Sequence, residues 1–305
     1  MQKMPVLITF FNRPEILEQL FKSISNRTDL ELFFACDGPR NNTDYSNIQN
    51  NWNLVEKYFG HIPENRKIER QLNLGCKLAM KENIDWFFDL NKYGLILEDD
   101  CIPNSDFFKY IGNSLIDYES AKNIASVSGT NCALSSFNEP SSLFRESMFP
   151  MVWGWGTWAK KWKLYQLEIY DRSQIVSDAA NKIFGRKNSL KKICFENVFN
   201  KRFAEVNSGK IDTWDYSLIA SIWRNNLRVL QINANLIVNL GFNAQATHTK
   251  IKAPDWVPLA YTIPHDLNFT YHEYESDFDM WLAETVYNCT LSEFLKNNVK
   301  KVLFK

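Results

Sequence analysis

Tyr93-Gly94-Leu95-Ile96-Leu97-Glu98-Asp99-Asp100-Cys101, YGLILEDDC, decides how this chain is read. A short apolar run bounded by polar residues is the pattern of a strand buried on both faces, as in a parallel sheet. This run ends in three consecutive carboxylates. Adjacent anions at the end of a buried strand suffer desolvation and mutual repulsion, both of which raise a carboxylate pKa. A hard divalent cation removes that penalty. Mg2+ and Mn2+ prefer oxygen ligands, usually one or two carboxylates completed by waters and phosphate oxygens. The competing reading is a solvated turn whose acids cap the next helix, and position at the carboxyl end of a central strand favours the cation.

The preceding residues alternate between strand and helix. Apolar runs at 5–11 and 30–36, a short strand near 67–71 and the run at 93–97 read as four strands. Between them, Ile16, Leu17, Leu20, Phe21 and Ile24 recur at helical spacing, with Asn12 and Glu15 as a capping box and Pro14 in the first turn. Residues 43–59 form a polar helix, and Cys76 to Phe88 a third. Such alternation implies parallel strands joined by right-handed crossovers, with ligands bound at the carboxyl ends. Asn12-Arg13, Asp37-Gly38 and Glu98-Asp99-Asp100 would then converge on one crevice.

Beyond residue 103 the pattern is less regular. Helix is expected at 107–119, strand at 123–129, a polar loop at 130–147, and basic helix across 173–209. A helix at 212–226 precedes strands at 227–233 and 236–242, and residues 291–305 are amphipathic and basic. No repeat or linker interrupts the chain. One domain is expected over 1–255, with a nucleotide-side half (1–103) and an acceptor-side half (104–255), and a C-terminal extension (256–305) packed on it.

Composition narrows the function. The 305 residues are 45% hydrophobic with zero formal net charge, and the pI is near 6.9, so nothing global points to nucleic acid. Six scattered cysteines form no C-x-x-C pair, which favours reduced thiols. No window approaches the roughly 18 apolar residues of a membrane span. The seven-residue apolar run near the N-terminus suits a strand better than a signal segment. A cytoplasmic protein is the expectation, with contact to an anionic membrane surface through the basic C-terminus as an option. P-loop, dinucleotide, H-E-x-x-H and nucleophile-elbow motifs are absent.

The segment 97–111, LEDDCIPNSDFFKYI, resembles the metal-binding segment of GT-A glycosyltransferases. It is similar to N-acetylglucosaminyltransferase I-like and family 2 enzymes, and closer still to a bacterial family of nucleotide-diphospho-sugar transferases. Four motifs occur in that family's order: Asn73-Leu74-Gly75-Cys76, Glu98-Asp99-Asp100-Cys101, Trp153-Gly154-Trp155-Gly156-Thr157-Trp158, and Asn239-Leu240-Gly241-Phe242 with Thr247-His248-Thr249. The resemblance implies a GT-A (Rossmann-like) α/β fold, a mostly parallel central sheet flanked by helices with an elaborated C-terminal half.

It also implies roles. Asp100 would bind Mn2+ or Mg2+ directly, Asp99 would approach the metal's waters or the donor sugar, and Glu98 would contact ribose or sugar hydroxyls. Phe10, Asn12 and Arg13 would line the nucleotide base and Asp37 would accept from a uracil N–H, although Asp37-Gly38-Pro39 alone reads as a turn. Asn73 and Arg70 complete the nucleotide side. Asp215 would be the base that takes the acceptor's proton. The composition of 212–216 equally suits a helix start, with Asp212 as N-cap and Asp215 at its third position. His248 would be a further metal or diphosphate ligand, or a structural histidine. Trp153, Trp155 and Trp214 are the substrate-facing candidates, since tryptophan faces suit sugar C–H surfaces and glycines allow close approach, while core packing is the ordinary fate of a tryptophan.

The expected activity is transfer of a sugar, with inversion, from a nucleotide diphosphate (UDP as the expected base) to a hydroxyl of a glycan or lipid-linked glycan. Two rivals stand beside it. A metal-dependent nucleotidyltransferase usually wants a glycine- and base-rich first loop, where this chain has FFNRPE. A non-catalytic carbohydrate-binding protein would explain the tryptophans but neither the acidic triplet nor Asp215.

Overall fold

Alternating apolar runs and amphipathic segments build one sheet with helices on both faces. The computed structural model describes residues 3–133, 137, 142–186, 189–242, 253–262 and 271–296. In chain order these form β1 (Met4–Phe10), α1 (Pro14–Ile24), β2 (Leu30–Cys36), α2 (Asn42–Phe59), β3 (Lys67–Glu69), α3 (Cys76–Leu90) and β4 (Tyr93–Glu98). The acidic triplet is followed by β5 (Cys101–Pro103), α4 (Ser105–Asp117), β6 (Ile124–Ser128), β7 (Phe144–Ser147), β8 (Trp155–Trp158) and α5 (Ala159–Trp162). Next are α6 (Arg172–Phe184), α7 (Leu190–Asn207), α8 (Asp215–Arg224), β9 (Arg228–Ile232), β10 (Ile237–Asn239), β11 (Tyr271–His272) and α9 (Ser276–Thr285).

Among the described residues the main sheet has nine strands, ordered β11-β7-β9-β6-β8-β4-β1-β2-β3. β1 pairs in parallel with both β2 and β4, while β8 runs antiparallel between β4 and β6. The chain proceeds from β1 outward to β3, then returns through α3 to β4 on the other side of β1. Strand order therefore reverses between β1 and β4. In open α/β sheets that reversal leaves a crevice beyond the carboxyl ends, where ligands bind. Thr9 lies opposite Glu98 in the β1–β4 register, so both strands deliver their next residues to this crevice.

Strand alternation divides the core. Val6 and Ile8 join one buried cluster with Leu17, Phe21, Phe34, Phe107 and Ile111 of α1, β2 and α4, whereas Leu7 faces the other with Phe87, Phe195, Phe199 and Trp223 of α3, α7 and α8. Gly156 in β8 lets α4 pack directly on the sheet: a Cβ there would lie 2.9 Å from a Leu115 methyl and 3.0 Å from one of Leu95.

Several local expectations are corrected. Arg13, not Asn12, occupies the N-cap position of α1 and makes no side-chain cap there. Asn12 is drawn away by Asp44, which accepts its amide at 2.5 Å. The expected helix over 173–209 is two helices: Gly185, at φ 78°, ends α6, and Ser189 caps α7 by accepting from the Lys192 N–H. The supposed loop at 130–147 contains β7. Residues 236–242 contribute only the short β10, which pairs antiparallel with β5 outside the main sheet. The helix expected from 212 starts at Asp215. Within the C-terminal amphipathic segment, residues 291–296 are helical and the remainder lies outside the described residues.

The C-terminal extension is part of the core. β11 adds to β7, and Phe278, Leu282 and Ala283 of α9 are buried with the second cluster. Fully buried Asp279 anchors α9, accepting from the Ser147 hydroxyl at 2.5 Å and the Met148 N–H at 2.8 Å. Removing an acceptor while leaving its buried donors unmatched is among the more damaging core changes. Asp279→Ala should lower the unfolding free energy by roughly 2–3 kcal/mol in urea titrations, with Asp279→Asn losing less. Equal, negligible losses in both variants would contradict this anchoring role.

Candidate functional site

The crevice beyond β1 and β4 gathers most of the residues singled out in the sequence. From the β1 side comes the Phe11-Asn12-Arg13 loop, held by α2: Asn51 donates to the Phe11 carbonyl at 2.8 Å and Asn47 to the Asn12 carbonyl at 3.1 Å. Pro14 begins α1, and the residue before a proline is kept out of helical geometry. Arg13 thus projects across to the acids. Its Nε donates to Asp99 Oδ2 at 3.1 Å, its Nη2 donates to Asp99 Oδ1, and the same Nη2 reaches Asp100 Oδ2 at 3.1 Å. Burial works against the guanidinium's charge, yet the pull of Asp99 and Asp100 raises its pKa overall.

The three acids differ in setting. Asp99 is 3% exposed and its pKa is raised by burial, with Arg13 pulling it down and Asp100 pushing it up. Asp100 faces the crevice more openly. Glu98 is pushed up to about 8, by burial first, then by Asp100 and Asp99, with Asp215 adding to them. One guanidinium therefore faces an excess of carboxylate.

β10 brings the Asn239-Leu240-Gly241-Phe242 motif against the triplet. The Leu240 N–H donates to the Asp100 carbonyl at 2.8 Å, and the Gly241 N–H to Asn239 Oδ1 at 2.7 Å. A Cβ on Gly241 would lie 2.5 Å from Asp100 Oδ2, so glycine there lets the carboxylate lie against the backbone.

The opposite wall is the start of α3. Asp37, at the end of β2, accepts from the Gly38, Leu74 and Gly75 N–H groups and from the Asn73 amide, at distances of 2.9–3.2 Å. Burial raises its pKa while these N–H donors and Arg70 oppose the rise. Its carboxylate is thus engaged by the protein's own donors. Arg70 turns to α3, donating to Asn83 at 2.5 Å and pairing with Glu82 at 3.2 Å.

Asp212 supplies a contact that sequence reasoning assigned to the wrong helix. Instead of capping α8, it caps α3: its two oxygens accept from the Cys76 and Lys77 N–H groups at 2.7 and 2.8 Å. Gly75, at φ +79°, leaves room for it, since a Cβ would lie 2.5 Å from Asp212 Oδ2. Four consecutive amides, 74–77, are thereby held by two carboxylates from different parts of the chain. Helix N-termini favour such anions. The contact carries Asp215 to the crevice at the first residue of α8, where its Oδ1 accepts from the Thr213 hydroxyl at 2.6 Å and the Tyr216 N–H at 2.8 Å. The Cys76 thiol registers the convergence: burial and then Glu98, Asp212, Asp215 and Asp37 all raise its pKa. A cysteine at a helix start is often activated, and this one is suppressed.

The tryptophans separate. Trp155 and Trp214 are each 2% exposed and stack on one another at 5.6 Å in the core, away from the substrate-facing role expected of them. Phe10 is likewise buried, edge-on to Trp52 at 5.3 Å. Trp153 is partly exposed, stacked on Trp256 at 6.0 Å and edge-on to Phe242 at 5.4 Å, next to the glycine that touches Asp100. Trp256 was not singled out in the sequence, where it is one isolated tryptophan. His248 lies outside the described residues.

The donor set is all oxygen and carries more negative than positive charge, which fits a hard divalent ion. Among the described residues no three His, Cys, Asp or Glu side chains are grouped so as to hold a metal by themselves. An ion here would take one or two carboxylates and complete its shell from water or a ligand, the habit of Mg2+ and Mn2+. A scan against protein-family models gives no match, and neither does a search of curated proteins.

Glu98 gives the site a pH signature. Its pKa in the folded chain, about 8, stands above its ordinary 4.5. Between those values the folded state holds a proton that the unfolded chain lacks. Its stabilising contribution is therefore fully present below the lower value and is lost as pH rises through the upper one. Glu98→Gln should gain stability relative to the wild type as pH is raised from about 5 to about 8.5 in urea titrations. A difference that stays constant with pH would contradict the assignment.

Proposed function

We propose that the chain is a GT-A glycosyltransferase that moves a sugar, with inversion, from a nucleoside diphosphate donor to a hydroxyl of a glycan or lipid-linked glycan. UDP is the expected nucleotide. The observation that carries this reading is the meeting of the strand-end acids with Asp215 at the point where strand order reverses. A carbohydrate-binding surface has no use for strand-end acids set against a further carboxylate, Asp215, whereas a transferase has a use for both.

Asp100 would hold Mn2+ or Mg2+ through its carboxylate, with Asp99, gripped by Arg13, beside the ion's waters. Such an ion supplies Lewis-acid stabilisation of the charge that grows on the departing diphosphate. Arg13 adds a positive charge at the same place. Asp215 takes the proton of the acceptor hydroxyl as that oxygen attacks the anomeric carbon and the bond to the diphosphate breaks on the opposite face. Two hydrogen bonds to its Oδ1 hold that carboxylate in one orientation, which is what a positioned base needs. Glu98, beside Asp99 and Asp100, would contact a sugar or ribose hydroxyl. Trp153, with Phe242 and Trp256 behind it, offers an aromatic surface beside Asp100 for a sugar ring. Among the described residues no helix is long and apolar enough to cross a membrane.

Two variants test the assignment. Asp100→Ala should abolish the part of UDP affinity that depends on Mn2+, measured by calorimetry with and without the ion. Asp215→Asn should keep that affinity while lowering sugar transfer by about a hundredfold or more. Undiminished Mn2+-dependent binding in the first, or undiminished transfer in the second, would contradict the corresponding role.

A further inference from the structure

Arg13 touches Asp99 and Asp100 in different ways. It grips Asp99 with two nitrogens, Nε and Nη2, and reaches Asp100 with Nη2 alone. Asp99 is almost wholly buried, where an ionised carboxylate without a partner is strongly unfavourable. Asp100 opens to the crevice, with 17% of its side chain exposed, and its Oδ2 lies between Nη2 and the Gly241 backbone. A cation at Asp100 would stand close to the positive charge on Nη2, which lies 3.1 Å from Oδ2, so the two like charges compete for that carboxylate.

We infer that Arg13 is the resident counter-ion of the acidic crevice: it competes with the divalent cation for Asp100 and permanently withholds Asp99. On cation entry the guanidinium gives up Asp100 and keeps Asp99. This rests on the reading of Asp100 as the cation ligand. Three consequences follow from the charges. The free protein binds the ion weakly, because a single carboxylate is offered and a positive charge stands beside it. A ligand that supplies phosphate oxygens both completes the ion's shell and compensates the released Nη2. By linkage the ion and that ligand then strengthen each other's binding.

The test uses the full chain and Mn2+ alone, with free ion counted by electron paramagnetic resonance. Arg13→Met should bind Mn2+ about tenfold more tightly than the wild type without nucleotide, because it frees both carboxylates and removes a repelling charge. Arg13→Lys, which keeps the charge and loses the two-pronged grip, should fall between them. Unchanged or weaker Mn2+ binding in Arg13→Met, with binding lost in Asp100→Asn, would overturn the counter-ion role and leave the cation site standing. Failure of the wild type and Arg13→Met to bind Mn2+ even with UDP would overturn both. Should Arg13→Met not fold, the wild type decides by nitrogen-15 NMR of the Arg13 Nε–H. That signal should shift on adding Mg2+ and UDP yet stay protected from exchange by its bond to Asp99. Loss of protection, or no shift, would contradict the inference.

Discussion

The guanidinium of Arg13 sits between two carboxylates at the place where strand order reverses, and the rest of the crevice is arranged around that contact. It offsets the cost of ending β4 in adjacent buried acids, since leaving a buried charge without its partner is strongly destabilising. The β1–α1 loop owes its course to the same need. Two asparagines of α2 hold its carbonyls, and a proline starts the helix immediately after Arg13.

Carboxylates serve three purposes within a short distance. Asp37 and Asp212 are structural anions that hold four successive amides at the start of α3. Asp99 is neutralised by Arg13. Glu98, Asp100 and Asp215 bring the remaining negative charge together, and Asp215 adds to the repulsion felt by Glu98. The Asp212 contact is what brings the two sides together, because it spans 135 positions of sequence to reach the Lys77 amide.

Much of this was legible in the residues. Apolar runs ending in polar pairs placed β1, β2 and β4 and their carboxyl ends, because a fully buried strand leaves a simple pattern. Hidden features were those in which a side chain chose between two local partners. Asn12 and Asp212 both had valid capping positions in their own segments, and each took a distant partner instead. Trp155 and Trp214 could not be told from Trp153 by composition, since only the sheet's pleat and the packing of α8 decide which ring is covered. The pairing of β10 with β5 was likewise silent, for three-residue strands carry almost no periodicity. Gly241 was marked by its motif, but its contact with Asp100 needed the fold.

The most direct measurement of the proposed sugar transfer is a panel of sugar nucleotides incubated with the protein and Mn2+, set against the same panel with EDTA. Slow release of a nucleoside diphosphate from at least one donor, only when the ion is present, is the expected result. Cleavage within the diphosphate to a nucleoside monophosphate and a sugar 1-phosphate, or no turnover and no binding of any donor, would contradict the assignment of this crevice to sugar transfer.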